Sequence, residues 1–452
     1  MHIDYRLILQ NWAQKSANMQ DPKQRYGGSM NKKVSFRTRI GAALSVAALL
    51  ASGTVASTPA HAADVTLEFA QWWDPELPAG SFRALMDEFE AANPGIKVKL
   101  VSGPYSTTKQ QIVAGAASKT MSDVVGLDGA WVNDFAKQGA LESLTGLMTA
   151  ASYDQKQLAS QIKVDGKTYM IPVVNFVYPL FTNSDLLKKA GVTKIPSTRS
   201  EFATAAKKIS KINSTTKGWV IPLSLEAPNG IQNDVMSLLW ASGGSMLKNG
   251  QPDLKNAKVK ALNTYIKNLW DAKAITPGAF TLKEQDKVEE FTNGRVGMMI
   301  DTLSHVTLIQ KNNPKLKFNI SPLPSEDGYK GKRGIPYASW GIGVASNSKN
   351  KTEAWKLVSF MMSEKTNSKL SSIARAFPGN TKSVPDFVTS DAISKKAFEI
   401  YTQGYPANEF TGLPVAEELM RLYGEQFQKY LSGKISVTKL ADNAQAAWLE
   451  KF

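Results

Sequence analysis

The 452-residue chain contains no cysteine and three histidines, of which only His305 lies beyond the first 62 residues. Without cysteine there is no disulfide staple, no thiolate nucleophile and no attachment point for a lipoprotein anchor. A single histidine cannot build the His or Cys cluster that captures a transition metal, so neither a metal nor any other cofactor is expected. G-x-S-x-G and H-E-x-x-H are also absent, which removes the best-marked hydrolase patterns. Composition leaves open a pair of carboxylates working on a glycosidic bond. No spacing singles out such a pair, so an exported carbohydrate-active enzyme stands behind a binding role. The lysines are dispersed, many in pairs such as Lys188 with Lys189. They read as solvated helix faces, and no nucleic-acid partner is expected without a basic stripe or a recognition motif.

What is present begins with a leader. From Met30 come Lys32, Lys33, Arg37 and Arg39, then a mostly apolar run over 40–56, then Ala60, His61 and Ala62. Basic head, apolar middle and A-x-A end describe a secretory signal peptide over 30–62, preceded by an upstream segment at 1–29. A membrane span is the weaker reading, because Ser45, Ser52, Gly53 and Thr54 interrupt a run short of the ~20 residues required. Export to the periplasm follows. Of the 54 basic and 39 acidic residues, eight and two precede Ala63, leaving 46 and 37 in a mature chain of 452 − 62 = 390 residues. That length suits two domains, and the net charge falls from +15 to +9.

The mature chain opens with VTLEFAQWW (65–73), followed by a helix carrying Phe82, Leu85, Met86 and Phe89 at helical spacing. IKVKLV (96–101) alternates as a strand, a helix covers 108–117, and DVVGL (123–127) is a short buried strand before a helix at 131–136. This alternation predicts a doubly wound α/β sheet, whose ligands sit at the carboxyl ends of its strands. An Asp-Gly hairpin in VDGKTY (164–169) leads into IPVVNFVYPLFTN (171–183), an apolar crossing into a second unit. There TRSE (198–201) is a capping box, 231–241 is a helix stopped by Gly243 and Gly244, and GRVGMMID (294–301) is a strand ending in an acid.

Six stretches then resemble one family: FEAANPGIKV (89–98), DVVGLD (123–128), YMIP (169–172), LFTNSDLLKKAG (180–191), FTNGRVGMM (291–299) and WGIGV (340–344). Their order and spacing are similar to those of the extracellular solute-binding proteins of ABC importers, in the branch that includes maltose-binding protein. The resemblance implies a periplasmic binding protein type II fold: two α/β lobes, joined by hinge crossings, that clamp a ligand as a monomer and hand it to permease subunits. It places one lobe at 63–174 plus 303–365 and the other at 175–302 plus 366–452. KFNISPLP (317–324) would belong to the first lobe, and a last crossing would fall near 363–371. One departure stands out: many relatives carry a tryptophan just past the second crossing, where this chain reads DTLSH (301–305).

The expected cargo is a saccharide, because pyranose rings offer C–H faces to aromatic rings and a rim of hydroxyls to polar side chains. Trp72, Trp73, Asp74, Tyr105 and Asp128 fall at strand ends, and alternation lets only one of the two adjacent tryptophans face a ligand. The crossing supplies Asn175 and Tyr178, which point to opposite faces. Glu226, Trp240, Gly243 and Asp301 are candidates in the second unit. Trp340 with Gly341 falls where the family's pattern places ligand contact, and Arg375 could grip a hydroxyl pair or an anion. Trp270, Trp355 and Trp448 sit in amphipathic helices and read as packing. The same fold could instead take a glycerol phosphodiester or uronic acid through Arg375, or a polyamine through acids and aromatics.

Overall fold

The computed structural model describes residues 65–386 and 391–452; the signal peptide and upstream segment lie outside the described residues. Two sheets organise the chain. The first has strands β1 (Val65–Gln71), β2 (Ile96–Ser102), β3 (Val124–Leu127), β4 (Ile162–Val164) and β5 (Lys167–Val177), which the chain lays down first. The second sheet takes β6 (Leu180–Asn183) and β7 (Lys217–Trp219), and a small hairpin, β8 (Leu247–Lys248) with β9 (Gln251–Pro252), stands apart. Next come β10 (Val296–Ile300), β11 (Phe318–Ser321), β12 (Gly334–Val344), β13 (Phe377–Pro378) and β14 (Tyr405–Ala407).

The first sheet runs β13-β5-β12-β3-β1-β2, with β14 on β12 and β4 on β5, and the second runs β11-β6-β10-β7. β1 pairs parallel with both β2 and β3, so the helices between these strands are crossovers and must cover the sheet's faces. The Ser81–Ala92 helix does so through Phe82, Leu85, Met86 and Phe89, all buried on the stripe their spacing dictates. The β4–β5 hairpin turns at Asp165 and Gly166, both with positive φ, which is the Asp-Gly turn chemistry. At the Arg199–Ile209 helix, Thr198 and Glu201 form the reciprocal capping box.

The chain passes from β5 in the first sheet to β6 in the second across Tyr178 and Pro179 alone. It returns between β11 and β12. Two placements implied by the family resemblance are corrected here. KFNISPLP does not rejoin the first lobe, because β11 pairs antiparallel with β6 from Phe318 to Ser321. No crossing occurs at 363–371 either: Glu364–Ala374 is a helix capped by Ser363 that packs on β5 and on the Ser81–Ala92 helix. The later helix Ala392–Gln403 does pack against β11. The strand around Trp340 also begins earlier than its glycine-rich end suggests, at Gly334.

Candidate functional site

Between the lobes lies a cavity lined by residues of both, the position at which clefts between domains commonly hold small molecules. The first lobe lines it with Trp72 and Glu76 just past β1, Tyr105 at a helix start past β2, and Asp128 past β3. These are carboxyl ends of strands, where open α/β sheets leave room for ligands. Phe176 and Tyr178 come from the crossing, and Ser339 and Trp340 from β12. The second lobe contributes Asn229, Gln232 and Asn233, then Lys283 and Glu284, then Thr302, Ser304 and His305.

The aromatic wall is built in two layers. Trp72 meets Tyr105 edge-on at 5.1 Å and Trp131 at 5.5 Å. Trp340 lies parallel to Trp73 at 5.4 Å and touches Phe176 at 4.7 Å. Trp73 is fully buried and does not line the cavity; it is the backing against which Trp340 is held, while Trp72 turns to the other side and faces the space. Both residues lie just past the end of β1, where the backbone leaves the extended conformation, and their rings meet edge to face at 6.2 Å.

Hydrogen bonds join the lobes across the cavity. The Tyr105 hydroxyl donates to Asp128 Oδ2 at 3.1 Å and accepts from Asn229 Nδ2 at 3.0 Å. At the rim, Lys109 pairs with Glu417 and the Val415 amide donates to Asp134 Oδ1 at 3.0 Å. The cleft is therefore closed.

A charged network forms the second wall. Lys287 is fully buried; its Nζ donates to Glu284 Oε1 at 2.7 Å and to the Ile300 carbonyl at 2.7 Å. Asp234 and Asp301 lie at 3.4 and 3.5 Å from the same nitrogen. His305 Nδ1 meets Asp301 Oδ2 at 2.9 Å, and its Nε2 is 4.0 Å from Glu76 Oε1 on the opposite lobe. Burial alone would lower the His305 pKa, but the charges of Asp301 and Glu76 raise it to about 9. Burial raises Glu76, Asp128, Asp234 and Glu284 above the usual carboxylate range. Asp301 goes the other way: burial opposes ionisation, and His305 and Lys287 overcome it. Two acceptors on the cavity wall, Gln232 Oε1 and Glu284 Oε2, are buried with no hydrogen-bond partner among the described residues. Gln232 sits on a π-helical turn, Ile231–Met236, a distortion that recurs at functional sites.

Of the residues singled out in the sequence, Trp72, Tyr105, Asp128, Tyr178 and Trp340 line the cavity. The rest do not, for identifiable reasons. Asp74 accepts from Ser102 at the surface. Asn175 Oδ1 is bound to Ser339 behind the wall. Glu226 is exposed and pairs with Lys283. The Trp240 indole donates to Glu409. Gly243 turns the chain at φ +62° with Tyr329 against it. Asp301 stands one layer back, beneath His305. Gly341 is needed for packing, since a Cβ there would fall 1.8 Å from Met170 Cε. Arg375 pairs with Asp391. Overlooked in the sequence were Glu76, Gln232, Glu284 and His305. The last lies in the same DTLSH stretch noted for lacking tryptophan; its neighbours Asp301 and Ser304 were the available signal.

A family model described as bacterial extracellular solute-binding protein matches residues 73–368. A protein of Brucella abortus (strain 2308) is 26% identical over 400 residues, spanning 87% of this chain and 92% of that one. Among solved structures, the GacH receptor of Streptomyces glaucescens, determined unliganded and with acarbose, shares 24% identity at a TM-score of 0.70, covering 86% of this chain and 98% of that chain. An ABC transporter solute-binding protein from Thermotoga lettingae bound with α-D-tagatose shares 20% at a TM-score of 0.73, covering 85% and 99%. One from Agrobacterium radiobacter in complex with ribitol shares 22% at 0.70, covering 86% and 99%. At these identities the likeness to solved structures establishes the shared fold. Among the described residues no helix is long and apolar enough to cross a membrane.

Proposed function

Because the chain belongs to the bacterial extracellular solute-binding proteins, we propose that it captures a mono- or oligosaccharide between its lobes and delivers it to the permease of an ABC importer. The observation that carries this reading is the pairing of Trp72 and Trp340 with a dense polar wall across one cavity. Aromatic faces suit the C–H face of a sugar ring, and the carboxylates, amides and hydroxyls opposite suit its rim. Acarbose and tagatose in the structural neighbours support the same class of cargo. The leader at 30–62 supports action in the periplasm, as a monomer released from the membrane. The cargo leaves unchanged, as befits relatives that are binding proteins.

The lobes act as a clamp, the ligand stabilising the closed form. We assign the first lobe to the sheet of β1, β3, β5 and β12 and the second to that of β6, β7, β10 and β11. Anionic cargo is disfavoured: Arg375 is engaged with Asp391, whereas Glu76, Asp128 and Glu284 face the cavity. A thermal-shift screen across sugars, polyols, sugar acids, phosphodiesters and polyamines tests the proposal, since a ligand specific to the folded state raises its melting temperature. A saccharide is expected to give a saturable upward shift; a response to phosphodiesters alone would refute the assignment.

A further inference from the structure

We propose that the saccharide taken by this cleft carries a protonated amino group, seated among Glu76, Gln232 and Glu284. The inference rests on the saccharide reading and names the class of sugar.

The wall on that side has more acceptors and more negative charge than its own donors satisfy. Among the described residues, Glu76, Asp234, Glu284 and Asp301 share only Lys287 and His305 as cationic partners. The remaining cation on the wall, Lys283, points away, its Nζ 2.8 Å from the exposed Glu226. Buried carboxylates in excess of their counter-charges are costly; either they take up a proton, the direction in which burial pushes Glu76, Asp234 and Glu284, or a bound cation supplies the missing positive charge.

The unmet hydrogen bonds point the same way. Gln232 is only 3% exposed, and its Oε1 has no donor; its amide nitrogen is already committed to Asn233 Oδ1 at 3.0 Å. Glu284 Oε2 is likewise without a donor, while Oε1 of the same carboxylate holds Lys287. A sugar hydroxyl brings one O–H to such a place. An ammonium brings three N–H donors together with the absent charge. The rings of Trp72, Tyr105 and Trp340 on the facing wall favour a cation as well as a pyranose face.

One amine is called for rather than the several of a linear polyamine. The acid at the far end, Asp128, has both oxygens in use, Oδ1 by the Ala130 amide at 2.9 Å and Oδ2 by Tyr105. It offers no second ammonium seat.

The test is calorimetric titration of the full exported chain near pH 7 with D-glucosamine, D-galactosamine and D-mannosamine. Each is compared with its neutral parent and its N-acetyl derivative, with spermidine alongside. At least one amino sugar is expected to bind tenfold or more tighter than its neutral parent, the gain disappearing on acetylation. Glu284→Gln, and independently Glu76→Gln from the other lobe, should each compress that ratio to within about threefold. Should Glu284→Gln fail to fold, Glu76→Gln decides. A neutral or acetylated sugar binding as tightly as the amine overturns this inference and leaves the saccharide reading standing. Binding of nothing in the panel overturns this inference and leaves the saccharide reading to the thermal-shift screen; binding of spermidine alone overturns both.

Discussion

Tyr105 joins the two lobes with a single oxygen, giving its proton to Asp128 and taking one from Asn229. Tyr105→Phe keeps the ring against Trp72 and removes only this relay. A net hydrogen bond contributes roughly 0.5–1.5 kcal/mol, so ligand affinity should fall about three- to tenfold with little change in the melting temperature of the free protein. Calorimetry beside thermal denaturation separates the two effects. His305 gives a pH test. Its folded pKa of about 9 lies above the ordinary histidine value of 6.5, so its stabilising contribution is complete below pH 6.5 and is lost as pH rises through 9. The charged groups around it are Asp301, Glu76, Glu284 and, one step removed, Lys287. His305→Gln should therefore lower the melting temperature markedly at pH 6, with the gap to the wild type closing by pH 10. A gap independent of pH would show that the ring serves packing alone.

Among the elements, the helix Glu284–Thr292 carries the sharpest structural demand, because it buries Lys287 among three carboxylates. Removing one partner of such a set leaves uncompensated charge, typically costing about 3–5 kcal/mol. Lys287→Met should shift the urea midpoint downward by a corresponding amount, whereas Lys283→Met, at the half-exposed pair with Glu226, should leave it nearly unchanged. This element also shows what the sequence makes legible. Periodic apolar residues and turn chemistry announced β1 to β3, the capping box at Thr198 and the β5 to β6 crossing, because those signals are local. The site residues that went unseen, Glu76, Gln232, Glu284 and His305, are polar positions in turns and at helix starts; only the meeting of two lobes turns them toward one space. Trp340 could be picked out by its glycine neighbour, yet Gly341 itself serves Met170 and not a ligand. The misplacement of β11 has a similar cause, for its partner β6 is 135 or more residues away in sequence.

For the whole molecule, the contacts that span the closed cleft include Tyr105 with Asn229, Lys109 with Glu417, Asp134 with the Val415 amide, Ser304 with Glu76, and the approach of His305 to Glu76. Weak latches suit a clamp whose ligand must decide the balance, since apparent affinity is the intrinsic affinity scaled by the closed fraction. Lys109→Ala should open the ligand-free protein, raising its radius of gyration in small-angle scattering, and a saturating saccharide should restore the compact value. The central claim is that a saccharide lies between Trp72 and the wall of Gln232, Glu284 and His305. A crystal structure with the saccharide that gives the largest thermal shift tests it most directly. A ring against Trp72 or Trp340, with polar atoms reaching Gln232 Oε1 or Glu284 Oε2, is the expected result. Density in another place, such as the groove behind the crossing lined by Pro179, Ser321 and Arg333, would contradict it.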